Sequence, residues 1–197
     1  NSWQTISPDL SREAWDIPNS VGVFTTAQLK TMPRRGVVYT LAPSYQDINI
    51  LWAGTDDGLI HITKDGGKTW KNITPPEITS WSKISMIEAS RFDAQTAYVA
   101  VNRIRCDDLQ AYIYKTTDGG KTWANVKFID ENTGFTDLAM DPNDPNTLYA
   151  AAYQRRRTAF GFQGGGPGSG LYKTTDGGTT WTKLTNGLPA GDAGRIG

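Results

Sequence analysis

One octapeptide recurs three times almost unchanged: Thr-Lys-Asp-Gly-Gly-Lys-Thr-Trp at 63–70, Thr-Thr-Asp-Gly-Gly-Lys-Thr-Trp at 116–123 and Thr-Thr-Asp-Gly-Gly-Thr-Thr-Trp at 174–181. An Asp at 65, 118 or 176 can fold its carboxylate back onto nearby backbone N–H groups, and the Gly-Gly pair after it accepts the positive φ of a tight hairpin. A β-branched Thr and a Trp then restart an extended strand and bring a large apolar surface to it. Asp65, Gly67, Trp70, Asp118, Gly120, Trp123, Asp176, Gly178 and Trp181 therefore read as structural, and the three carboxylates as turn formers rather than catalytic or metal-binding groups.

A second phrase lies upstream of each octapeptide. It reads Ala42-Pro43-Ser44, Asp47 and Leu51-Trp52-Ala53-Gly54 in the first copy, Ala89-Ser90, Asp93 and Ala97-Tyr98-Val99-Ala100 in the second, and Met140-Asp141-Pro142, Asp144 and Leu148-Tyr149-Ala150-Ala151 in the third. Asp with Pro, Ser or Asn makes a polar turn, and the aromatic-plus-small run after it is a buried strand. Each unit thus has four strands. They are expected at 36–41, 50–54, 59–63 and 69–73; at 83–87, 96–101, 112–116 and 122–128; and at 136–140, 147–151, 171–174 and 180–184. A period of about fifty residues built from four short strands is that of a propeller blade rather than a sandwich.

The expected fold is all-β: propeller blades of four antiparallel strands, three complete and partial at both ends. Residues 1–30 would hold the last strand of a preceding blade plus a linker. The blades would occupy 31–79, 80–130 and 131–190, and 191–197 would open a further one. Rings usually close with four to eight blades. Three blades with cut ends therefore point to a fragment of a larger or incomplete propeller, an assembly of several chains, or separated stretches of a longer sequence joined together.

The octapeptide matches the Asp-box pattern Ser/Thr-x-Asp-x-Gly-x-Thr-Trp, and nearly the whole chain resembles the BNR/Asp-box propeller proteins of bacteria, glycosyl hydrolase-like and sortilin-related. That resemblance implies a β-propeller in a secreted, periplasmic or cell-surface protein, either gripping a peptide, protein or glycan or hydrolysing glycosides. Similarity to xyloglucanases implies a catalytic Asp directly after the second strand, where Thr55-Asp56-Asp57-Gly58 matches loosely and Asp56 is the residue transferred. No counterpart for the second carboxylate can be picked, and the three arginines and Tyr/Glu pair of sialidases are not found at matching positions.

Composition narrows the classes. Twenty acidic and twenty basic residues cancel in 197, which gives no footprint for nucleic acid. One cysteine, Cys106, and one histidine, His61, cannot assemble a zinc cluster, and neither a metal nor a cofactor is expected. No apolar run is long enough to span a membrane, and no signal peptide opens at Asn1, as in a mature secreted chain or an excised fragment. Asn72-Ile73-Thr74 matches the N-glycosylation pattern.

Ligands are expected on the face opposite the octapeptide turns, on the loops 55–58, 102–111 and 152–170. The candidates are Asp56 and Asp57 in the first, Arg103, Arg105, Asp107 and Asp108 in the second, and Arg155, Arg156, Arg157, Phe160 and Phe162 in the third. Guanidinium groups beside aromatics suit carboxylate, sulfate or sugar ligands. The same arginines could instead pair with Asp56, Asp57, Asp107 or Asp108 between blades. Residues 161–170 are rich in glycine but lack the Gly-Lys-Ser/Thr ending of a phosphate cradle, and read as a flexible loop. Three functions remain open: a non-catalytic binding module, a glycoside hydrolase fragment, and a structural module that self-associates or pairs with other blades.

Overall fold

The structure is a computed structural model that describes residues 2–14, 36–106, 108–127, 129–158 and 160–196. Three four-stranded antiparallel sheets follow one another along the chain. The first is β1 (Val38–Pro43), β2 (Leu51–Thr55), β3 (Ile60–Thr63) and β4 (Lys71–Asn72); the second is β5 (Lys83–Ala89), β6 (Ala97–Asn102), β7 (Ala111–Thr116) and β8 (Ala124–Lys127). The third is β9 (Thr133–Met140), β10 (Leu148–Gln154), β13 (Gly170–Thr174) and β14 (Thr182–Lys183), with the hairpin β11 (Arg156–Thr158) and β12 (Gly161–Gln163) inserted between its second and third strands.

The sheets stack through their first two strands, β1 against β5 and β5 against β9. Their apolar cores consequently lie in the joints between sheets. The first joint holds Trp52, Ile60 and Ile62 of one sheet against Ile84, Ile87, Val99 and Val101 of the next. The second holds Tyr98, Ala100 and Ile113 against Phe135, Leu138, Leu148 and Tyr172. Edge-to-face ring pairs sit in these cores, Trp52 with Trp123 at 6.5 Å between centroids and Phe135 with Tyr172 at 6.4 Å.

The three Asp-box turns are built alike. The Asp65 carboxylate accepts from the Thr63 hydroxyl at 2.8 Å and from the Thr69 N–H at 2.9 Å and hydroxyl at 2.6 Å, while Gly67 N–H donates to the Thr63 hydroxyl at 2.9 Å. Asp118 and Asp176 repeat the set. These bonds hold the Asp65 and Asp176 carboxyls down at about 2, and Asp118 lower still, in each case through the following Thr hydroxyl first. The glycines take the required left-handed backbone, Gly66 and Gly67 at φ 72° and 93°.

Each box also docks on the first turn of its own sheet: Gly66, Gly119 and Gly177 donate to the carbonyls of Asn49, Gln95 and Asn146, each at 2.9 Å. Both turns therefore share one end of the stack. In an antiparallel meander, that leaves the loops after β2, β6 and β10 at the other end.

The outermost strands are shorter than the sequence suggests, because Thr69 and its counterparts spend their N–H groups on the Asp carboxylate rather than on a ladder. Residues 161–170 are not a plain loop: β12 within them pairs with β11, Arg157 facing Phe162. Residues 2–6, expected as a strand, form none among the described residues. They serve the first sheet differently, the Ile6 carbonyl accepting from the Trp70 indole N–H at 2.8 Å. Trp123 repeats this contact on Ile73 at 2.8 Å, whereas Trp181 donates to Gly178 in its own turn at 3.0 Å. Asn1, Asp107, Phe128, Gly197 and the expected linker over 15–30 lie outside the described residues.

Candidate functional site

The first strand of each four-stranded sheet carries a β-bulge at the same place. Pairing slips between Val38 and Thr40 on β1, between Ile84 and Met86 on β5, and between Phe135 and Asp137 on β9. The extra residues are Tyr39, Ser85 and Thr136. A bulged residue leaves the ladder and its side chain is re-aimed. All three line one cavity of about 270 Å³ at the loop end of the stack, and all three carry a hydroxyl.

Charged groups surround them. Lys83 stands on β5, with Nζ 3.5 Å from the centroid of the Tyr39 ring, and Arg195 enters from the C-terminal segment. Hydrogen bonding to the Lys83 ammonium, and then its charge, lower the pKa of the Tyr39 phenol against the opposing effect of burial, with the guanidinium groups of Arg195 and Arg105 lowering it to a lesser degree. Arg155 follows β10, where its guanidinium lies 5.6 Å from the Phe162 ring. Asp137, on β9, contributes a carboxylate, and Asn102, Gln110 and Asn132 contribute amides.

The predicted candidates separate into three groups. Arg103 and Asp108 reach the cavity wall but hold each other at 3.1 Å, Arg103 also donating to the Glu77 carbonyl and the Thr79 hydroxyl. Asp108 further accepts from the Tyr112 hydroxyl at 3.0 Å, and burial together with that carboxylate pushes the phenol up to about 12. Asp56 and Asp57 do not line the cavity. Asp56 pairs with Arg105 at 3.1 Å and accepts from the Val37 N–H, while Asp57 accepts from the Arg12 N–H and the Thr55 hydroxyl. Arg156, Arg157, Phe160 and Phe162 project on the β11–β12 hairpin, with Phe160 fully exposed. Asp107 is outside the described residues.

Sequence reading overlooked Tyr39, Lys83, Asp137 and Arg195. A signal for the bulge was present: Tyr39, Ser85 and Thr136 each stand thirteen residues before the second-strand aromatic, Trp52, Tyr98 or Tyr149. Among the described residues, no group of three His, Cys, Asp or Glu side chains could hold a metal ion, and no helix is long and apolar enough to cross a membrane. Cys106 is a half-buried free thiol whose pKa burial raises.

Residues 58–190 match the family model Sortilin-Vps10, described as sortilin, neurotensin receptor 3. The chain belongs to the Sortilin-Vps10 family. Over 104 residues it is 29% identical to an oligoxyloglucan-reducing end-specific xyloglucanase of Emericella nidulans, covering 52% of this chain and 12% of that enzyme. Among solved structures, it resembles an ancestral GH74 enzyme with a TM-score of 0.56 at 21% identity over 77% of this chain and 19% of that one. It also resembles YCF48 bound to D1 peptide, with a TM-score of 0.51 at 16% identity over 76% of this chain and 43% of the other. The chain thus spans a minor part of each relative, and the structural likenesses establish the all-β propeller fold.

Proposed function

We propose that this chain is a non-catalytic, ligand-binding part of a larger secreted or cell-surface propeller protein, and that a peptide, protein or glycan enters the polar cavity at its loop end. The observation that carries this reading is the bulge repeated in β1, β5 and β9, which spends one residue per sheet on the cavity instead of on the ladder. Irregularities of this kind concentrate beside working sites. The relative bound to D1 peptide lends support, since it is a propeller of similar fold occupied by a peptide. Isothermal titration of the chain against peptide and glycan panels, repeated with Arg195→Ala, tests it; unchanged binding in the variant would place the ligand elsewhere.

Glycoside hydrolysis, xyloglucanase-like or sialidase-like, is the second reading, and the observation in its favour is that Asp108 and Asp137 both line the cavity. Hydrolysis needs two carboxyl groups flanking the scissile bond as acid and as base or nucleophile. Against it stands Asp108, already engaged by Arg103, Tyr112 and the Gln110 N–H. Turnover of chromogenic glycosides or xyloglucan, lost on Asp137→Ala or Asp56→Ala, would establish the enzyme.

Pairing with further blades has its own support. Val38 and Leu41 of β1 are 48% and 54% exposed, whereas their counterparts Ile84 and Ile87 on β5, and Phe135 and Leu138 on β9, are at 0–2%. A further blade, of this polypeptide or another copy, would cover the free face of β1. Sedimentation at several concentrations measures self-association, with a monomer at all of them ruling out pairing between copies.

A further inference from the structure

We infer that the cavity is a binding site for an acidic saccharide, its carboxylate received by Lys83 and Arg195 and its hydroxyls by Tyr39, Ser85 and Thr136. This deepens the reading of the cavity as the ligand site and rests on it. Charge is the first argument. Four cationic side chains line the cavity, Lys83, Arg103, Arg155 and Arg195, against the carboxylates of Asp108 and Asp137. Arg103 and Asp108 neutralise each other at 3.1 Å. Among the described residues, Lys83, Arg155 and Arg195 form no salt bridge, and only Asp137 remains to offset them. The wall carries excess positive charge, and bidentate guanidinium recognition of a carboxylate is the strong form of such a contact.

The character of the wall selects among anions. The Ser85 hydroxyl offers a donor and an acceptor, and the Tyr39 phenol a donor. The Thr136 hydroxyl, which donates to the Ala151 and Ile196 carbonyls, offers an acceptor. The Asn102 and Gln110 amides, whose oxygens accept from the Ile104 N–H and the Tyr112 hydroxyl, offer donors. A sugar ring presents both kinds of group around its edge. An apolar peptide side chain would need an apolar recess, and here polar and charged side chains dominate a lining whose aliphatic surface comes from Met86, Ile104 and Leu109. At about 270 Å³ the space falls just below the roughly 300–1,000 Å³ of drug-sized pockets, which suits one ring better than a peptide stretch. The acidified Tyr39 phenol, a hydrogen-bond donor next to Lys83, adds to the same chemistry.

The test is NMR-monitored titration of the 197-residue chain at low salt with glucuronate and oligogalacturonate, against glucose, neutral galactose oligomers and an acidic peptide. Oligogalacturonate is expected to shift the resonances of Ser85, Thr136 and Arg195, to bind at least tenfold more tightly than its neutral counterpart and to weaken with salt. Arg195→Ala and Lys83→Ala should each weaken it about tenfold. Asp137→Asn removes the opposing charge without removing a contact to the acid, and should tighten binding severalfold; unaltered or weaker binding there overturns the inference even if the other variants fold poorly. Neutral sugars binding as tightly as acidic ones would also overturn it. Peptides that move these resonances where acidic sugars do not would sink the inference and keep the ligand-site reading. Silence from every ligand would sink both.

Discussion

The indole N–H of Trp123, on the second sheet, donates to the backbone carbonyl of Ile73, at the end of the first, across 2.8 Å. The same ring packs edge-on against Trp52, so one residue ties the outer rim of a blade to the core of its neighbour. Trp123→Phe keeps most of the apolar surface but orphans the carbonyl, and is expected to cost about 1–2 kcal/mol. Trp123→Ala also loses the ring contact and should cost about 3 kcal/mol, the low end for such truncations because the side chain is only partly buried. Urea unfolding of the three proteins measures both steps; equal midpoints for wild type and Trp123→Phe would remove the hydrogen bond from the account.

Gly120 lies in the same joint. A methyl group there would collide with the Ile73 side chain, and the backbone at φ 81° already disfavours any side chain. Gly120→Ala should destabilise the chain by about 2 kcal/mol or more, strain and overpacking adding. Gly187, also left-handed at φ 76° but with nothing within 4 Å, is the control: Gly187→Ala should cost only the backbone part, about 1 kcal/mol.

Equivalent positions in successive blades should respond unequally. Ile87→Ala empties a site that is 2% exposed and is expected to cost about 2–5 kcal/mol, whereas Leu41→Ala, at 54% exposure, should cost about 0.5 kcal/mol or less. Matching losses in denaturant titrations would mean that β1 is covered in solution.

Two kinds of group set the acid response. His61 is buried in β3 and burial lowers its pKa, with Asp57 opposing. Protonation therefore favours the unfolded chain, and stability should begin to fall as pH drops below about 6.5, the unfolded value. The Asp65 and Asp176 carboxyls are held at about 2 in the fold, so their contribution is complete above the unfolded carboxylate range and is lost as pH falls towards 2. Thermal melts from pH 8 to 2 should show two declines, and His61→Gln should erase the upper one alone.

The sheets were legible because their turns are chemically explicit: Asp, Gly-Gly and Thr-Trp leave few alternatives to a hairpin, and the Asp47, Asp93 and Asp144 turns fix where each second strand begins. The hairpin of Arg156–Thr158 and Gly161–Gln163 was not, since neither arm alternates apolar and polar residues and only their mutual pairing makes them strands. Spacing places the arginines between the second and third strands of their sheets, yet that Arg103 pairs with Asp108 is decided by a 3.1 Å approach that no spacing encodes. Tyr39, Lys83 and Arg195 escaped notice because they come from three separate parts of the chain, and only the stacking of β1 on β5 brings the first two together.

The bulge shared by β1, β5 and β9 separates two duties along one strand. In β5 and β9 the apolar residues on either side of it fill the joints and tolerate little change, while the bulged residue itself lines the cavity. Tyrosine, serine and threonine already occupy it with no visible alteration of the sheet behind them. Should the cavity bind a ligand as proposed, recognition could drift by one letter per blade without disturbing the joints, and a library confined to Tyr39, Ser85 and Thr136 would vary the cavity wall while leaving the stack intact.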